Sequence, residues 1–258
     1  TECGECPQKS DYPVCNGVDG SRRNYLRKKE AFVGLDNLTI VTPSKWLGGL
    51  VKESFLREYP IAVINNGIDL ESFKPAESDF RKRYNITDKK IILGVAQVWG
   101  SRKGLRYFIE LSSLLDDDFQ IVLIGLTDKE KQFLPANIIG LSRTNSIQEL
   151  IEIYTAADVF VNPTLEEVFG MTNVEALACG TPVITFDSGG SPECIDDSCG
   201  LVIKKTNAQA LALAIKNLTN NMFSEDDCVN RAKLFENTTK YKEYLNLYSS
   251  VLGIRRIG

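Results

Sequence analysis

The sequence predicts an α/β fold built on a parallel β-sheet, and two features of its hydrophobic pattern carry this prediction. Short apolar runs recur along the 258-residue chain without the polar alternation that marks a half-exposed strand. Between these runs, apolar residues recur at helical spacing. Strands that alternate with helices specify a parallel sheet joined by right-handed crossovers.

Seven apolar runs are predicted as strands. They are LTIVT (38–42), IAVIN (61–65), IILGVA (91–96), QIVLIG (120–125), VFVNP (159–163), PVITF (182–186) and GLVIK (200–204). Helical stripes occupy the intervening ranges 47–55, 147–154 and 208–215. A last stripe follows the final predicted strand and contains Tyr241, Tyr244, Leu245, Tyr248 and Leu252.

The segment 65–78, NNGIDLESFKPAES, has Gly, Asp and Pro without helical periodicity, which is typical of a linker. About five strand–helix units follow it, enough for a Rossmann-like domain, whereas one clear unit precedes it. We therefore expect the end of one domain at 1–64, an interdomain linker at 65–78 and a complete Rossmann-like domain at 79–236. A C-terminal helix at 237–258 is expected to pack back toward the N-terminal part.

Composition and charge exclude several classes of protein. A net charge of −4 and an isoelectric point near 5.2 argue against nucleic-acid binding, which needs a basic surface. One basic segment, Arg22 to Lys29, is either a solvated helix face or a contact for anionic headgroups or acceptor phosphates. No apolar run is long enough for a membrane span and no signal peptide is evident, so we expect a cytoplasmic protein.

The cysteine and histidine contents limit the chemistry further. Seven cysteines, an odd number at scattered positions, suggest a reducing compartment rather than a disulfide framework. Cys3, Cys6 and Cys15 lack a fourth ligand nearby, so no metal site is expected. The chain has no histidine, which excludes His-dependent hydrolase and dehydrogenase schemes.

Three loops follow predicted strands at the edge where parallel sheets bind ligands. They are QVWGSRKGL after 91–96, TLEEVFGMT after 159–163 and DSGGSPE after 182–186. Helix N-termini carry unpaired N–H groups and partial positive charge, so two of them together with Lys103 suit a diphosphate. The alternative for Lys103 is a solvated lysine at a helix start.

Two glutamates flank Phe169-Gly170: Glu167 lies in the second of these loops and Glu175 lies just after it. Thr172 and Glu175 have the T-x-x-E spacing of a capping box, and spacing alone favours that structural role for Glu175. Glu167 and its neighbour Glu166 have no helical partner and would be surface acids on the same reasoning.

The stretch EEVFGMTNVEALACGTPVITFDSGGSPE resembles the signature of retaining glycosyltransferases of family 4, the group 1 glycosyl transferases. The agreement includes the E-x7-E pair Glu167 and Glu175, the Phe-Gly between them, EALACGTPV and GGSPE. VTPSKWL, VINNGIDLESFKP, RKGL and YTAADVFVNPT resemble further landmarks of that family, so the likeness covers roughly residues 38 to 205. It implies the C-terminal half of a two-domain GT-B fold with a remnant of the N-terminal Rossmann-like domain.

The resemblance also implies roles for individual residues. Glu175 would accept hydrogen bonds from the ribose hydroxyls of a nucleotide-sugar, and Glu167 would lie beside the transferred sugar as the candidate catalytic residue. The donor diphosphate would be bound by Lys103 and by the backbone amides of Gly170, Met171 and Thr172. The loop with Arg143 and Thr144 would lie near the base.

Two departures from the family pattern bear on these expectations. Gln97 stands where the family often has an arginine six residues before the lysine, so Arg102 would have to supply that contact. The family's N-terminal half, with its glycine-rich loop and a histidine near the donor sugar, has no counterpart in this sequence.

The resemblance predicts transfer of a sugar, with retention, from a UDP- or GDP-sugar to a glycan or lipid-linked acceptor in bacterial capsule, lipopolysaccharide or related biosynthesis. Residues 79–236 would bind the donor, 1–64 would belong to the acceptor-side domain, and no cofactor or metal is implied. Two alternatives stay open: a non-catalytic nucleotide- or carbohydrate-binding module, and a PLP-dependent phosphorylase-like domain.

Overall fold

The computed structural model describes residues 19–204, 207–218 and 223–253. The chain divides into two compact units, with the boundary between Val63 and Ile64. Within the described ranges, no helix is both long and apolar enough to cross a membrane. Cys3, Cys6 and Cys15 lie outside the described residues.

The first unit contains a small parallel βαβ arrangement. Its elements are α1 (Ser21–Phe32), β1 (Ile40–Thr42), α2 (Lys45–Lys52) and β2 (Ile61–Val63). β1 pairs in parallel with β2, and Ser44 caps α2 by accepting a bond from the N–H of Leu47 at 3.2 Å. A Cβ on Gly48 would lie 3.2 Å from Thr42 Oγ1, so glycine lets α2 lie close to the strand.

The second unit is built on a six-stranded parallel sheet within the described residues. Its strands are β3 (Lys90–Val95), β4 (Phe119–Ile124), β5 (Ile138–Leu141), β6 (Val159–Asn162), β7 (Val183–Phe186) and β8 (Gly200–Ile203). They lie in the order β5-β4-β3-β6-β7-β8. This order is that of a doubly wound Rossmann-like sheet.

Helices connect these strands and complete the unit. They are α3 (Phe80–Arg83), α4 (Leu105–Leu111), α5 (Asp128–Lys131), α6 (Ile147–Ala156), α7 (Met171–Ala178), α8 (Ala208–Leu218), α9 (Glu225–Ala232) and α10 (Asn237–Leu252). Short 3-10 helices occupy Ser101–Lys103, Ser191–Cys194 and Lys233–Phe235.

Both faces of the six-stranded sheet are covered, which explains why its strands read as continuous apolar runs. Ile91 and Leu93 of β3 belong to the hydrophobic cluster on one face, and Ile92 belongs to the cluster on the other. All three side chains are fully buried. Each such burial stabilises the fold by roughly 1.5–3 kcal/mol relative to an exposed side chain.

The structure confirms the predicted α/β fold with a parallel Rossmann-like sheet, and it adds one strand that the sequence pattern did not reveal. β5 is short, follows Pro135 and contains Gly140, so its pattern reads as a loop. A Cβ on Gly140 would lie 2.6 Å from the Leu134 side chain, so close packing explains the glycine.

The segment 65–78 belongs to the second unit and contains neither helix nor regular strand. Ile68 exchanges backbone hydrogen bonds with the segment that leads into α10: its N–H donates to Phe235 O at 2.7 Å and its carbonyl accepts from Asn237 N at 2.9 Å. Phe73 packs against the core. An interdomain linker role for this segment stays a prediction.

Helix α10 leaves much of its predicted apolar stripe exposed. Tyr241, Leu245, Tyr248 and Leu252 are each more than half exposed. The expectation that this helix packs toward the N-terminal part of the chain also stays a prediction.

Candidate functional site

The sheet order creates a crevice at the carboxyl ends of β3 and β6. These strands are neighbours, yet the chain leaves β3 toward β4 on one side and leaves β6 toward β7 on the other. In doubly wound sheets this reversal is the place where ligands bind. The loops after β3, β6 and β7 all end at this edge.

The loop after β3 is fixed against the loop after β6. Arg102 O accepts a hydrogen bond from Leu165 N at 2.7 Å. Gly104 has a φ of 77°, and a Cβ there would lie 2.2 Å from Pro163 O, so only glycine fits. These contacts set the position of Lys103, the residue between Arg102 and Gly104.

Lys103 Nζ forms an ion pair with Glu167 Oε2 at 2.7 Å. The lysine side chain is 37% exposed and the glutamate 16%. The second oxygen, Oε1 of Glu167, accepts from Val168 N at 3.1 Å. The structure therefore places the predicted diphosphate lysine and the first glutamate in direct contact.

The loop after β7 closes on the same glutamate from the other side. Gly190 N donates to Glu167 O at 2.9 Å. Gly189 has a φ of 58°, and a Cβ there would lie 1.9 Å from Glu167 O. All three loops that the sequence singled out thus converge at Glu167.

Helix α7 points its N-terminus into this edge of the sheet. The helix begins after Gly170, whose φ is 91°, and no side chain caps it. The N–H groups of Met171 and Thr172 belong to the first turn, which has no intrahelical acceptors for them. Together with the helix dipole they form an arrangement that suits an anion.

The capping box expected for Thr172 and Glu175 is wrong. The residue at the N-cap position is Gly170, and Thr172 is the second residue of α7, so its side chain cannot take the capping position. Glu175 lies in the second turn of the helix, beyond the reach of the N-cap N–H. The left-handed Gly170 moved the helix start two residues ahead of the position that the T-x-x-E spacing indicates.

Glu175 instead accepts a hydrogen bond from the buried hydroxyl of Tyr154, with Oη 2.9 Å from Oε2. Burial raises the pKa of Glu175 above its ordinary value, while the bond from Tyr154 acts in the opposite direction. Burial and the neighbouring Glu175 raise the pKa of Tyr154 well above its ordinary value. Tyr154 therefore stays a neutral donor.

A buried polar network beneath the site escaped sequence reasoning. Asn162 Nδ2 donates to Asn173 Oδ1 at 2.8 Å, and Asn173 Nδ2 donates to Ser191 Oγ at 2.9 Å. Thr185 Oγ1 lies 2.7 Å from Ser191 Oγ. The network joins β6, α7 and the loop after β7. Its sequence signal is one polar residue within each of two apolar runs, Asn162 in VFVNP and Thr185 in PVITF.

Ser188 adjoins this network in the loop after β7. Its hydroxyl is fully buried. Among the buried side-chain nitrogen and oxygen atoms of the described ranges, it is the one that has no hydrogen-bond partner. A buried hydroxyl without a partner carries a desolvation cost, which a ligand could offset.

The remaining predicted residues lie farther out. Arg102 is exposed and faces Glu166, with 3.5 Å between Nη1 and Oε2. Gln97 and Arg143 are exposed and Thr144 is partly exposed. Among the described residues, no hydrogen bond or ion pair joins Gln97, Arg143 or Thr144 to Lys103 or Glu167.

The described part of the chain contains no group of three or more His, Cys, Asp or Glu residues that could hold a metal ion. Four cysteines of the second unit, at 179, 194, 199 and 228, are buried free thiols. Burial raises the pKa of Cys179 and of Cys228 to about 12, so neither is a ready nucleophile at neutral pH.

Known proteins with similar sequences are glycosyltransferases of several kinds. The chain is 32% identical over 221 residues to N,N'-diacetylbacillosaminyl-diphospho-undecaprenol alpha-1,3-N-acetylgalactosaminyltransferase of Campylobacter jejuni subsp. jejuni serotype O:2, covering 76% of this chain and 56% of that protein. It is 28% identical over 237 residues to GDP-mannose-dependent monoacylated alpha-(1-6)-phosphatidylinositol monomannoside mannosyltransferase of Corynebacterium glutamicum, covering 84% and 59%. The chain thus spans somewhat more than half the length of these two curated relatives.

Solved structures share the fold. Sucrose-phosphate synthase from Thermosynechococcus elongatus superposes with a TM-score of 0.77 at 21% identity, over 96% of this chain and 66% of that chain. Anabaena HepE in complex with UDP-glucose superposes with a TM-score of 0.73 at 18% identity, over 88% and 68%. At such identities the likeness shows the fold alone.

A family model described as glycosyl transferases group 1 matches residues 76–235, which is more than half of the chain. The matched range contains the crevice with Lys103, Glu167 and Glu175. The chain belongs to the group 1 glycosyl transferases.

Proposed function

We propose that the crevice binds the nucleoside diphosphate of a nucleotide-sugar, and that the protein transfers the sugar with retention of anomeric configuration. The observation that carries this proposal is that Lys103, paired with Glu167, and the uncapped N-terminus of α7 both lie at the switch-point edge of the sheet. A flexible cation and a set of free N–H groups are the two features that commonly bind phosphate groups in proteins.

Each predicted residue has a role in this proposal. Lys103, helped by Arg102 and Gln97, binds the diphosphate. The N–H groups of Gly170, Met171 and Thr172 bind it from the helix side. Glu175 accepts hydrogen bonds from ribose hydroxyls, and the base lies near Arg143 and Thr144. Glu167 lies beside the sugar.

The chemistry follows from charge that develops on the leaving group. As the bond from the anomeric carbon to the diphosphate oxygen breaks, negative charge grows on that oxygen. Lys103 and the helix N–H groups stabilise this charge without rearrangement, which lowers the barrier. The acceptor hydroxyl bonds to the anomeric carbon on the face from which the diphosphate leaves, and its proton passes to the departing diphosphate oxygen. Configuration is therefore retained, and Glu167 is not assigned as a nucleophile.

The class of donor and acceptor is proposed from the names of the relatives. One relative's name includes a GDP-mannose donor, another's a lipid-linked sugar diphosphate acceptor, and the Anabaena structure is described with UDP-glucose. We propose a UDP- or GDP-sugar donor and a glycan or lipid-linked acceptor in bacterial cell-surface polysaccharide biosynthesis, such as capsule or lipopolysaccharide.

Titration calorimetry of this chain with UDP, GDP and ADP tests the donor site. We expect weak binding of UDP or GDP that disappears in Lys103→Met. Absence of heat with all three nucleotides at millimolar concentration would sink the proposal. Absorbance of bound PLP would instead favour the phosphorylase-like alternative.

We also propose that the protein is cytoplasmic and that α1 makes a peripheral contact with a membrane surface. The helix has no buried residue, and it carries Arg22, Arg23, Arg27, Lys28 and Lys29 beside the exposed apolar residues Leu26 and Phe32. Such a surface suits anionic headgroups.

Vesicle flotation measures this contact. We expect binding to phosphatidylglycerol vesicles and none to phosphatidylcholine, with binding reduced in Arg22→Glu/Arg23→Glu. Lys129→Glu/Lys242→Glu makes the same charge change at exposed lysines of the second unit and should have less effect. Equal losses in the two double variants would contradict a contact through α1.

A further inference from the structure

Packing of its ring holds the Tyr154 side chain in place. The side chain is fully buried, and its ring meets Phe160 edge-on with centroids 5.6 Å apart. The position of the phenol oxygen is therefore set by packing, before any ligand arrives.

That oxygen makes one hydrogen bond, to Oε2 of Glu175. Within the described ranges, no protein group donates to the other carboxylate oxygen, Oε1. Oε1 is not one of the fully buried side-chain atoms that lack a hydrogen-bond partner. Since it has no partner, it must be exposed to solvent. One oxygen of Glu175 is thus occupied by a fixed neutral donor and the other is open.

A carboxylate held at one oxygen has fewer orientations than a free one. Glu175 has three rotatable side-chain bonds, and ordering such a side chain costs conformational entropy. The bond from Tyr154 is present without ligand, so that cost falls on folding rather than on binding. It also compensates part of the desolvation of a partly buried carboxylate.

We propose that Tyr154 is a positioning residue, which orients the Glu175 carboxylate so that its open oxygen accepts hydrogen bonds from the vicinal hydroxyls of a ribose. The inference rests on the proposed function. Tyr154 itself does not touch the ligand, and its effect appears as discrimination between ribose and dideoxyribose.

The experiment compares the nucleoside diphosphate that binds this chain, UDP or GDP, with its 2′,3′-dideoxy counterpart by calorimetry. The unchanged chain should bind the ribose form about tenfold or more tightly, because a hydrogen bond to a charged group is among the stronger kinds. Tyr154→Phe should reduce this ratio to within about threefold of unity. The affinity of Tyr154→Phe for inorganic pyrophosphate should equal that of the unchanged chain.

Thr181→Val is the matched control. It removes one buried hydroxyl, which donates to the backbone carbonyl of Tyr154 at 2.6 Å, and it leaves the phenol and Glu175 untouched. It should lower thermal stability about as much as Tyr154→Phe does, and it should keep the ribose discrimination of the unchanged chain. Glu175→Ala, alone or combined with Tyr154→Phe, should show the same loss of discrimination as Tyr154→Phe.

The outcomes separate the two claims. Ribose discrimination that persists in folded Tyr154→Phe, or that falls equally in Thr181→Val, would overturn the positioning role and leave the donor site standing. Failure of Tyr154→Phe to fold at the binding temperature would make the phenol a structural residue and would also overturn it. Failure of the unchanged chain to bind UDP or GDP would overturn the proposed function together with this inference.

Discussion

Lys103 and Glu167 neutralise each other at the place where the proposed diphosphate would bind. Their ion pair is partly exposed, and Glu167 is further held by its bond from Val168 N and by the bond from Gly190 to its carbonyl. A diphosphate that reaches Lys103 must therefore compete with a carboxylate that is already there. The ion pair weakens anion binding in the empty site, and bound donor would release it.

Glu167→Gln should therefore raise the affinity for inorganic pyrophosphate, by about threefold, which is the size expected for a partly exposed ion pair. The same change should lower any sugar transfer, since Glu167 is the residue proposed to lie beside the sugar. Calorimetry measures the first effect. Glu166→Gln, which removes an exposed partner of Arg102, is the control and should change pyrophosphate affinity less. Weaker pyrophosphate binding by Glu167→Gln would contradict the competition.

Glu175 gives a prediction with a defined pH dependence. Its pKa is raised in the folded chain, chiefly by burial, so the folded state holds this proton more tightly than the unfolded state does. Folding stability is therefore lost as pH rises from the ordinary glutamate pKa to the raised value. Glu175→Gln removes that loss and should raise the melting temperature more at pH 7 than at pH 4.

The change in stability should stay within about 1 kcal/mol, the usual net size of one hydrogen bond, while the affinity for UDP or GDP should fall toward that of the 2′,3′-dideoxy counterpart. Thermal melts at the two pH values and calorimetry with UDP or GDP measure both effects. A variant that is destabilised more at pH 7 than at pH 4 would contradict burial as the dominant influence on Glu175.

At the scale of elements, tight backbone contacts between loops set the geometry of the crevice. Gly104 lies against Pro163 and Gly189 lies against Glu167, each with a positive φ. Neither position accommodates a Cβ without a shift of the facing backbone. The three loops therefore act as one packed layer rather than as independent flexible segments.

Gly189→Ala tests this packing. The Cβ would lie 1.9 Å from Glu167 O, so the loop after β6 must move and both stability and pyrophosphate affinity should fall. Gly34→Ala is the control, because Gly34 also has a positive φ, 85°, but a Cβ there meets nothing within 4 Å. It should cost only the backbone strain, about 1–2 kcal/mol. Equal losses of stability in the two variants, measured by urea unfolding, would show that the contact with Glu167 is unimportant.

The start of α10 is capped by a glutamate side chain. Glu236 caps the helix by accepting from Thr238 N at 3.0 Å and Thr239 N at 2.9 Å, and hydrogen bonds to Thr238 and Thr239 lower the pKa of Glu236 to about 2. A lowered pKa contributes stability above pH 4.5, and this is lost as pH falls toward 2. Glu236→Gln should therefore be less stable than the unchanged chain at pH 7, and the difference should shrink below pH 4.5.

Urea unfolding at pH 7, 4.5 and 3 follows this difference. Glu77→Gln, at an exposed glutamate outside α10, is the control for the loss of one negative charge. A difference between Glu236→Gln and the unchanged chain that is constant with pH would argue against a charged cap.

At the scale of the whole molecule, the strand–helix alternation predicted the sheet because burial on both faces leaves a strong apolar signal. β5 lacked that signal, since a short strand with a glycine and a preceding proline resembles a loop. The lysine and the three loops were predictable because strand ends meet at one edge of a parallel sheet. The bond from Tyr154 to Glu175 and the network around Asn173 were not, because they join residues far apart in sequence through contacts that no periodicity encodes.

The T-x-x-E spacing misled for a related reason. A capping box depends on where a helix begins, and the left-handed Gly170 set that point ahead of Thr172. A local pattern thus indicated a capping role for Glu175. In the tertiary structure its carboxylate instead accepts a hydrogen bond from Tyr154 of α6.

Amide NMR of the ¹⁵N-labelled chain tests whether an anion binds between Lys103 and the N-terminus of α7. On titration with UDP or GDP, and with inorganic pyrophosphate, the largest shifts should fall on the amides of Gly170, Met171 and Thr172 and on the loop around Lys103. The same shifts should be lost in Lys103→Met. Shifts confined to other parts of the chain, or none at millimolar ligand, would exclude an anion site at Lys103 and the start of α7.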